Sequence, residues 1–114
     1  MESYLKISKA LADKNRIRII KMLGEKPLCV CEITTILGLA ASTTSNHLSI
    51  LKDARLIFEQ KDGKWVNYYL NSSSQDTYIR SLLPLIKSWM NDDPLVAQDL
   101  QRLEKTDRSK LCKG

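Results

Sequence analysis

Cys29 and Cys31 stand one residue apart, and Cys112 is the third and last cysteine of the chain. In a chain without a secretion signal, three cysteines read as reduced thiols, open to soft metals, metalloids or redox chemistry, rather than as a disulfide framework. Residues two apart on a regular α-helix point about 200° away from each other. Cys29 and Cys31 can therefore share one ion only where the start of the helix is extended or unwound. A helix N-terminus also lowers a thiol's pKa and raises the thiolate fraction that binds soft ions. The competing reading is a pair of small buried hydrophobes. Closure of the CxC pair on itself is strained, so oxidation would join Cys112 to Cys29 or Cys31.

His47 is the only histidine. It has no evident nucleophile nearby to act on as a base and no second histidine with which to hold zinc. No phosphate loop, metal-hydrolase motif or placed carboxylate pair is present, so an enzyme is not expected.

The elements that must position these residues follow from periodicity and end signals. Residues 3–12 carry Tyr4, Leu5, Ser8, Leu11 and Ala12 at helical spacing, and Asp13 can cap a second helix that stops at Gly24. A third helix begins near the cysteine pair and ends at Gly38. After a short turn, a fourth runs from about Ser42 to Ala54, with Thr44, Leu48 and Leu51 inward. Two short helices joined by a Gly-containing turn are the sequence form of a helix-turn-helix.

Residues 56–61 and 64–70 then read as strands, with Asp62-Gly63 as the tight turn between them. A hairpin directly after a recognition helix is a wing. A long helix is expected over Asp76–Met90, with Pro84 kinking it or marking its true start. It has one apolar stripe for the core (Ile79, Leu82, Leu83, Ile86, Met90) and a second (Tyr78, Leu85, Trp89) suited to another subunit. Asp93-Pro94 opens a last helix through about Leu103.

The first 70 residues hold 11 Lys/Arg against 7 Asp/Glu, and Ile33 to Lys52 contains no carboxylate. That placement suits a polyanion partner. Ser42, Thr43, Ser45, Asn46 and His47 are candidates for base and backbone contacts from the recognition helix, with Lys52 on the same helix. Lys61 and Lys64 at the wing could meet phosphate, or could simply protect an edge strand. The N-terminus lacks the pattern of a signal peptide and no apolar run is long enough for a bilayer, so a cytoplasmic protein without a membrane partner is expected.

Three segments together resemble the ArsR/SmtB family of winged-helix metal-responsive repressors, over roughly residues 5–90. They are Pro27-Leu28-Cys29-Val30-Cys31-Glu32-Ile33, the run from Ser42 to Lys52, and the wing from Asp62 to Leu70. The first is similar to the metal box of the arsenic, antimony, lead and cadmium members, the second to the recognition helix. The resemblance implies a homodimer built on the first and the long C-terminal helices, a double-stranded operator with two half-sites, and release from DNA on metal binding.

Two departures narrow the inducer. Many arsenic-type members have a third cysteine where this chain has Thr34, and the cadmium and lead types carry cysteines in an N-terminal extension that is absent here. As(III) and Sb(III) favour three thiolates, which makes Cys112 the remaining sulfur candidate beside Cys29 and Cys31. A two-thiol site would suit trivalent organoarsenicals. Cd(II) and Pb(II) fit less well.

The expectation is a mainly α fold with a β-hairpin wing, a homodimeric winged helix-turn-helix of five to six helices. It spans residues 1–105, with dimerisation helices at both ends, followed by a flexible tail over 106–114. DNA binding itself would need no cofactor. Two alternatives stand beside the thiolate-sensing repressor. One is a thiol redox or sulfur-sensing repressor of the same fold. The other is a winged helix that binds protein rather than DNA, whose association would lack the steep salt dependence of phosphate contacts.

Overall fold

A computed structural model describes residues 1–106; Cys112 and the rest of the expected tail, 107–114, lie outside the described residues. The chain runs α1 (Glu2–Leu11), α2 (Lys14–Leu23), β1 (Leu28–Cys29), α3 (Val30–Leu37), α4 (Ala41–Asp53), β2 (Ile57–Asp62), β3 (Trp65–Leu70), α5 (Thr77–Ser88) and α6 (Pro94–Lys105). The three strands form one antiparallel sheet in the order β1-β3-β2. This is the winged helix-turn-helix, with six helices among the described residues.

Caps set the boundaries. Asp13 is extended and accepts from the N–H groups of Asn15 (2.8 Å) and Arg16 (3.1 Å), which satisfies two donors that α2 cannot pair internally. Asp76 and Asp93 cap α5 and α6 in the same way. Gly38 ends α3 at φ +70°, a left-handed conformation that glycine adopts without a Cβ clash. Ala40 precedes α4 with no side-chain cap.

Two expectations shift. Asp62 pairs with Trp65, so the hairpin loop is Gly63-Lys64 rather than Asp62-Gly63. The reason is that the Asp62 carboxylate accepts from Asn67 Nδ2 (2.8 Å) and Tyr69 Oη (2.6 Å), which holds Asp62 in the ladder. Pro84 lies inside α5 and does not start it. The helix stops at Ser88, short of Met90, because Trp89 is extended and Met90 has φ +62°.

The core gathers Ile7, Ile19, Ile20, Leu28, Ile33, Leu48, Leu51, Leu56, Ile79 and Leu83, one face from almost every element. Two buried cations of α2 fasten the C-terminal helices to it. Arg18 makes a two-point ion pair with Asp99 of α6 (2.8 and 2.9 Å). Lys21 Nζ donates to the carbonyl oxygens of Ile86 (3.0 Å), Lys87 (2.8 Å) and Trp89 (2.6 Å) and to Asn91 Oδ1 (2.7 Å). These carbonyls lie at the C-terminal end of α5, and that of Ile86 also accepts from the Trp89 N–H at 3.1 Å.

Candidate functional site

Cys29 is not inside the helix. It closes β1 and serves as the N-cap of α3 with φ −91° and ψ 167°, while Cys31 lies in the first turn. This extended entry removes the conflict that a regular helix would impose. The two sulfurs are 3.8 Å apart. Two thiolates bound at about 2.3 Å to one tetrahedral ion would be separated by about 3.8 Å.

The same sulfur has a local duty. Cys29 Sγ accepts from the backbone N–H of Glu32, and Glu32 Oε1 accepts from the backbone N–H of Cys29 at 3.0 Å, a reciprocal capping box. Glu32 is 3% exposed and Cys29 5%. Cys112, the third expected sulfur, is outside the described residues. Among the described residues there is no group of three or more His, Cys, Asp or Glu side chains that could hold a metal ion.

The strand β1 was not foreseen. Two residues have no period to read, and its existence depends on pairing Leu28 with Tyr68 and Cys29 with Asn67 of β3. The register brings Asn67, 8% exposed, opposite the first cysteine.

On α4, Ser42, Thr43, Ser45 and Asn46 are exposed along one face. Lys52 is exposed as well, but its ammonium is paired with Glu59, which raises the lysine pKa. Lys61 and Lys64 are exposed on either side of the wing tip, and Lys64 Nζ sits 5.1 Å from the centre of the Trp65 ring.

His47 is buried on α4 rather than exposed with its neighbours. It is 9% exposed, and its Nδ1 lies 3.3 Å from Arg16 Nη1. Arg16 also donates from Nε to the Ala10 carbonyl oxygen (2.6 Å) and from Nη2 to that of Lys9 (3.3 Å), so it ties the end of α1 to α4. The signal was available. Thr44, His47, Leu48 and Leu51 form an i, i+3, i+4, i+7 stripe, which is an inward face.

The second stripe of α5 is uncovered in the single chain. Tyr78, Leu85 and Trp89 are 48%, 46% and 47% exposed, beside Tyr4 (48%) and Leu5 (46%) of α1. The Tyr4 and Tyr78 rings meet with centroids 5.7 Å apart, so the two helices present one continuous apolar surface.

A family model described as "Bacterial regulatory protein, arsR family" matches residues 13–58, the stretch from the cap of α2 to the first residues of β2. The arsenical resistance operon repressor of Bacillus subtilis (strain 168) is 40% identical over 72 residues, covering 62% of this chain and 69% of that protein. The chain belongs to the arsR family of bacterial regulatory proteins. The arsenical resistance operon repressor of Escherichia coli (strain K12) is 38% identical over 68 residues, 59% of this chain. The alignment spans 58% of that relative, a little over half its length. Among solved structures, HlyU from Vibrio cholerae N16961 superposes with a TM-score of 0.64 at 28% identity, over 76% of this chain and 90% of that one. The family's fold is thus present here with both cysteines, the helix-turn-helix and the wing in one unit.

Proposed function

We propose that this chain is a homodimeric, sequence-specific transcriptional repressor that leaves its operator when Cys29 and Cys31 capture As(III) or Sb(III). The observation that carries this reading is the 3.8 Å separation of the two sulfurs at the entrance of α3, the helix that packs against α4.

DNA recognition is assigned to Ser42, Thr43, Ser45 and Asn46 of α4, with Lys61 and Lys64 of the wing reaching phosphate. His47 serves the packing of α4 rather than the groove. The apolar surface of α1 and α5 suits a second copy of the chain. A two-fold dimer would then address two half-sites on double-stranded DNA. No cofactor is assigned to DNA binding.

The capping box supplies a coupling. An inducer that takes Cys29 Sγ removes the acceptor that caps α3, and the bound geometry disfavours the conformation that supports α4. A ligand shifts such an equilibrium only by its differential affinity for the two conformations, here a few kcal/mol. Cd(II) and Pb(II) are the weaker candidates, because two thiols leave more of their coordination to water.

The test is a titration of arsenite, antimonite, cadmium and lead into the protein–DNA complex under a non-thiol reductant. The intact chain should release DNA with arsenite, and Cys29→Ser and Cys31→Ser should not. Normal release by Cys29→Ser would remove the box from consideration.

One observation favours a second reading. Two sulfurs 3.8 Å apart also fit a repressor of the same fold that responds to thiol oxidation. Release by an oxidant, reversed by reductant and abolished in Cys112→Ser, would support that reading. Arsenite would then be without effect on the reduced protein.

A further inference from the structure

Three buried side-chain oxygens lack a hydrogen-bond partner among the described residues: Thr34 Oγ1, Thr44 Oγ1 and Asn67 Oδ1. Two of the three flank the cysteine pair. Asn67 stands directly across the ladder from Cys29, and cross-strand partners share one face of a sheet. Thr34 follows Cys31 by three residues on α3, which places both on the same side of the helix.

Nearby groups show that ordinary satisfaction was possible. Thr35, one residue on, donates its hydroxyl to the Cys31 carbonyl oxygen at 2.8 Å. Asn67 itself donates from Nδ2 to Asp62 at 2.8 Å while leaving its oxygen without a donor. A buried polar atom without a partner is costly and rare in native proteins, so each one calls for a group that would satisfy it. Thr34 offers a donor and Asn67 an acceptor, on either side of two thiols.

We propose that Thr34 and Asn67 form the oxygen side of the inducer site and hold the hydroxyl that stays on arsenic. This rests on the thiolate reading above. Arsenite, As(OH)3, reacts with the Cys29 and Cys31 thiols to form two As–S bonds and break two As–O bonds. Each thiol proton leaves with a displaced hydroxide as water, and arsenic remains trivalent. The third As–OH is retained. Its oxygen accepts from the Thr34 hydroxyl, and its proton goes to Asn67 Oδ1, so one ligand group satisfies both atoms. The site thereby selects a trivalent centre with two exchangeable positions and one hydroxyl, without requiring a third sulfur.

Phenylarsine oxide provides the contrast. It reacts with two thiols, releases one water, and ends with carbon in the third position, which neither hydrogen bonds Thr34 nor needs it. Affinities for arsenite and phenylarsine oxide should be measured by fluorescence titration of the reduced full chain, for wild type, Thr34→Val and Thr34→Ser. Loss of one such hydrogen bond corresponds to about a five- to tenfold weaker arsenite affinity in Thr34→Val. Thr34→Ser should restore it, and phenylarsine oxide should bind all three alike. X-ray absorption on the arsenite complex should count two sulfurs and one oxygen.

Three sulfurs around arsenic, equal weakening of both ligands by Thr34→Val, or no change in either would overturn the proposal. Failure of the thiolate reading has a different signature: arsenite would bind Cys29→Ser and Cys31→Ser as it binds the wild type.

Discussion

The backbone N–H of Cys29 donates to Glu32 Oε1 at 3.0 Å while the Cys29 sulfur accepts from the backbone N–H of Glu32, so the two residues cap α3 for one another. Loss of a capping side chain typically costs about 1 kcal/mol. Glu32→Ala should lower stability in urea by about that amount, and Glu32→Gln, which keeps the acceptor, by less. A Glu32→Ala protein as stable as the wild type would show that the box contributes nothing.

Arg18 and Asp99 present a larger effect. The pair is buried and joined at two points, at 2.8 and 2.9 Å. The Asp99 carboxylate beside Arg18 raises the guanidinium pKa further, against the cost of burial. Removing either partner alone leaves a buried charge, so Arg18→Met or Asp99→Leu should cost about 3–5 kcal/mol. The double variant should recover most of that loss, which a double-mutant cycle by denaturant unfolding will read. Additive losses would contradict the pairing.

Acid should weaken the first turn of α2. Burial raises the pKa of Asp13, but the N–H groups of Arg16 and Asn15 and the Arg16 charge outweigh it, and the carboxyl lies below its ordinary 3.8. A group with a depressed folded pKa contributes stability that is fully present above its unfolded value and lost as pH falls through the folded one. The contribution of Asp13 should therefore be constant at neutral pH and decline below about pH 4. Asp13→Asn keeps an acceptor and should show a shallower acid slope in unfolding experiments.

For DNA, phosphate and base contacts separate experimentally. Lys61→Ala and Lys64→Ala should each reduce the slope of log K against log salt by about 0.9, with weakening shared across sequences. Asn46→Ala should instead cost about 1–3 kcal/mol on the preferred site and little on random DNA. His47→Leu should alter thermal stability while leaving the preferred site unchanged. A change of site preference would restore His47 to the groove.

The apolar face of α1 and α5 predicts an oligomeric outcome. Leu85→Glu or Trp89→Glu should shift sedimentation from dimer to monomer without unfolding the chain, since both residues are exposed in the single copy. A dimer that survives both changes would place the subunit contact elsewhere.

Much of this fold was legible because its signals are local. Asp13, Asp76, Asp93 and Gly38 each mark a helix end through one side chain or one left-handed residue. β-Branched, aromatic and apolar residues on either side of Asp62-Gly63 identified the wing. The features that escaped depend on distant partners. Leu28-Cys29 becomes a strand only when β3 lies beside it, and Asp62 joins the ladder only because Asn67 and Tyr69 hold its carboxylate. The cysteine spacing was legible as chemistry, but the extended backbone at Cys29 that brings the sulfurs together was not. The inward turn of His47 was readable from the stripe it shares with Thr44, Leu48 and Leu51.

The pairing of Cys29 with Asn67 joins the cysteine-bearing strand and the wing in one sheet. From Asn67 to the Gly63-Lys64 tip is three to four residues of strand, about 10–13 Å at 3.3 Å per residue. A tilt of about 10° where Cys29 meets β3 would sweep the wing tip through about 2 Å. On the proposed thiolate reading the hairpin is a lever whose short arm ends at Cys29, and it would report chemistry at sulfur as a displacement against the DNA backbone.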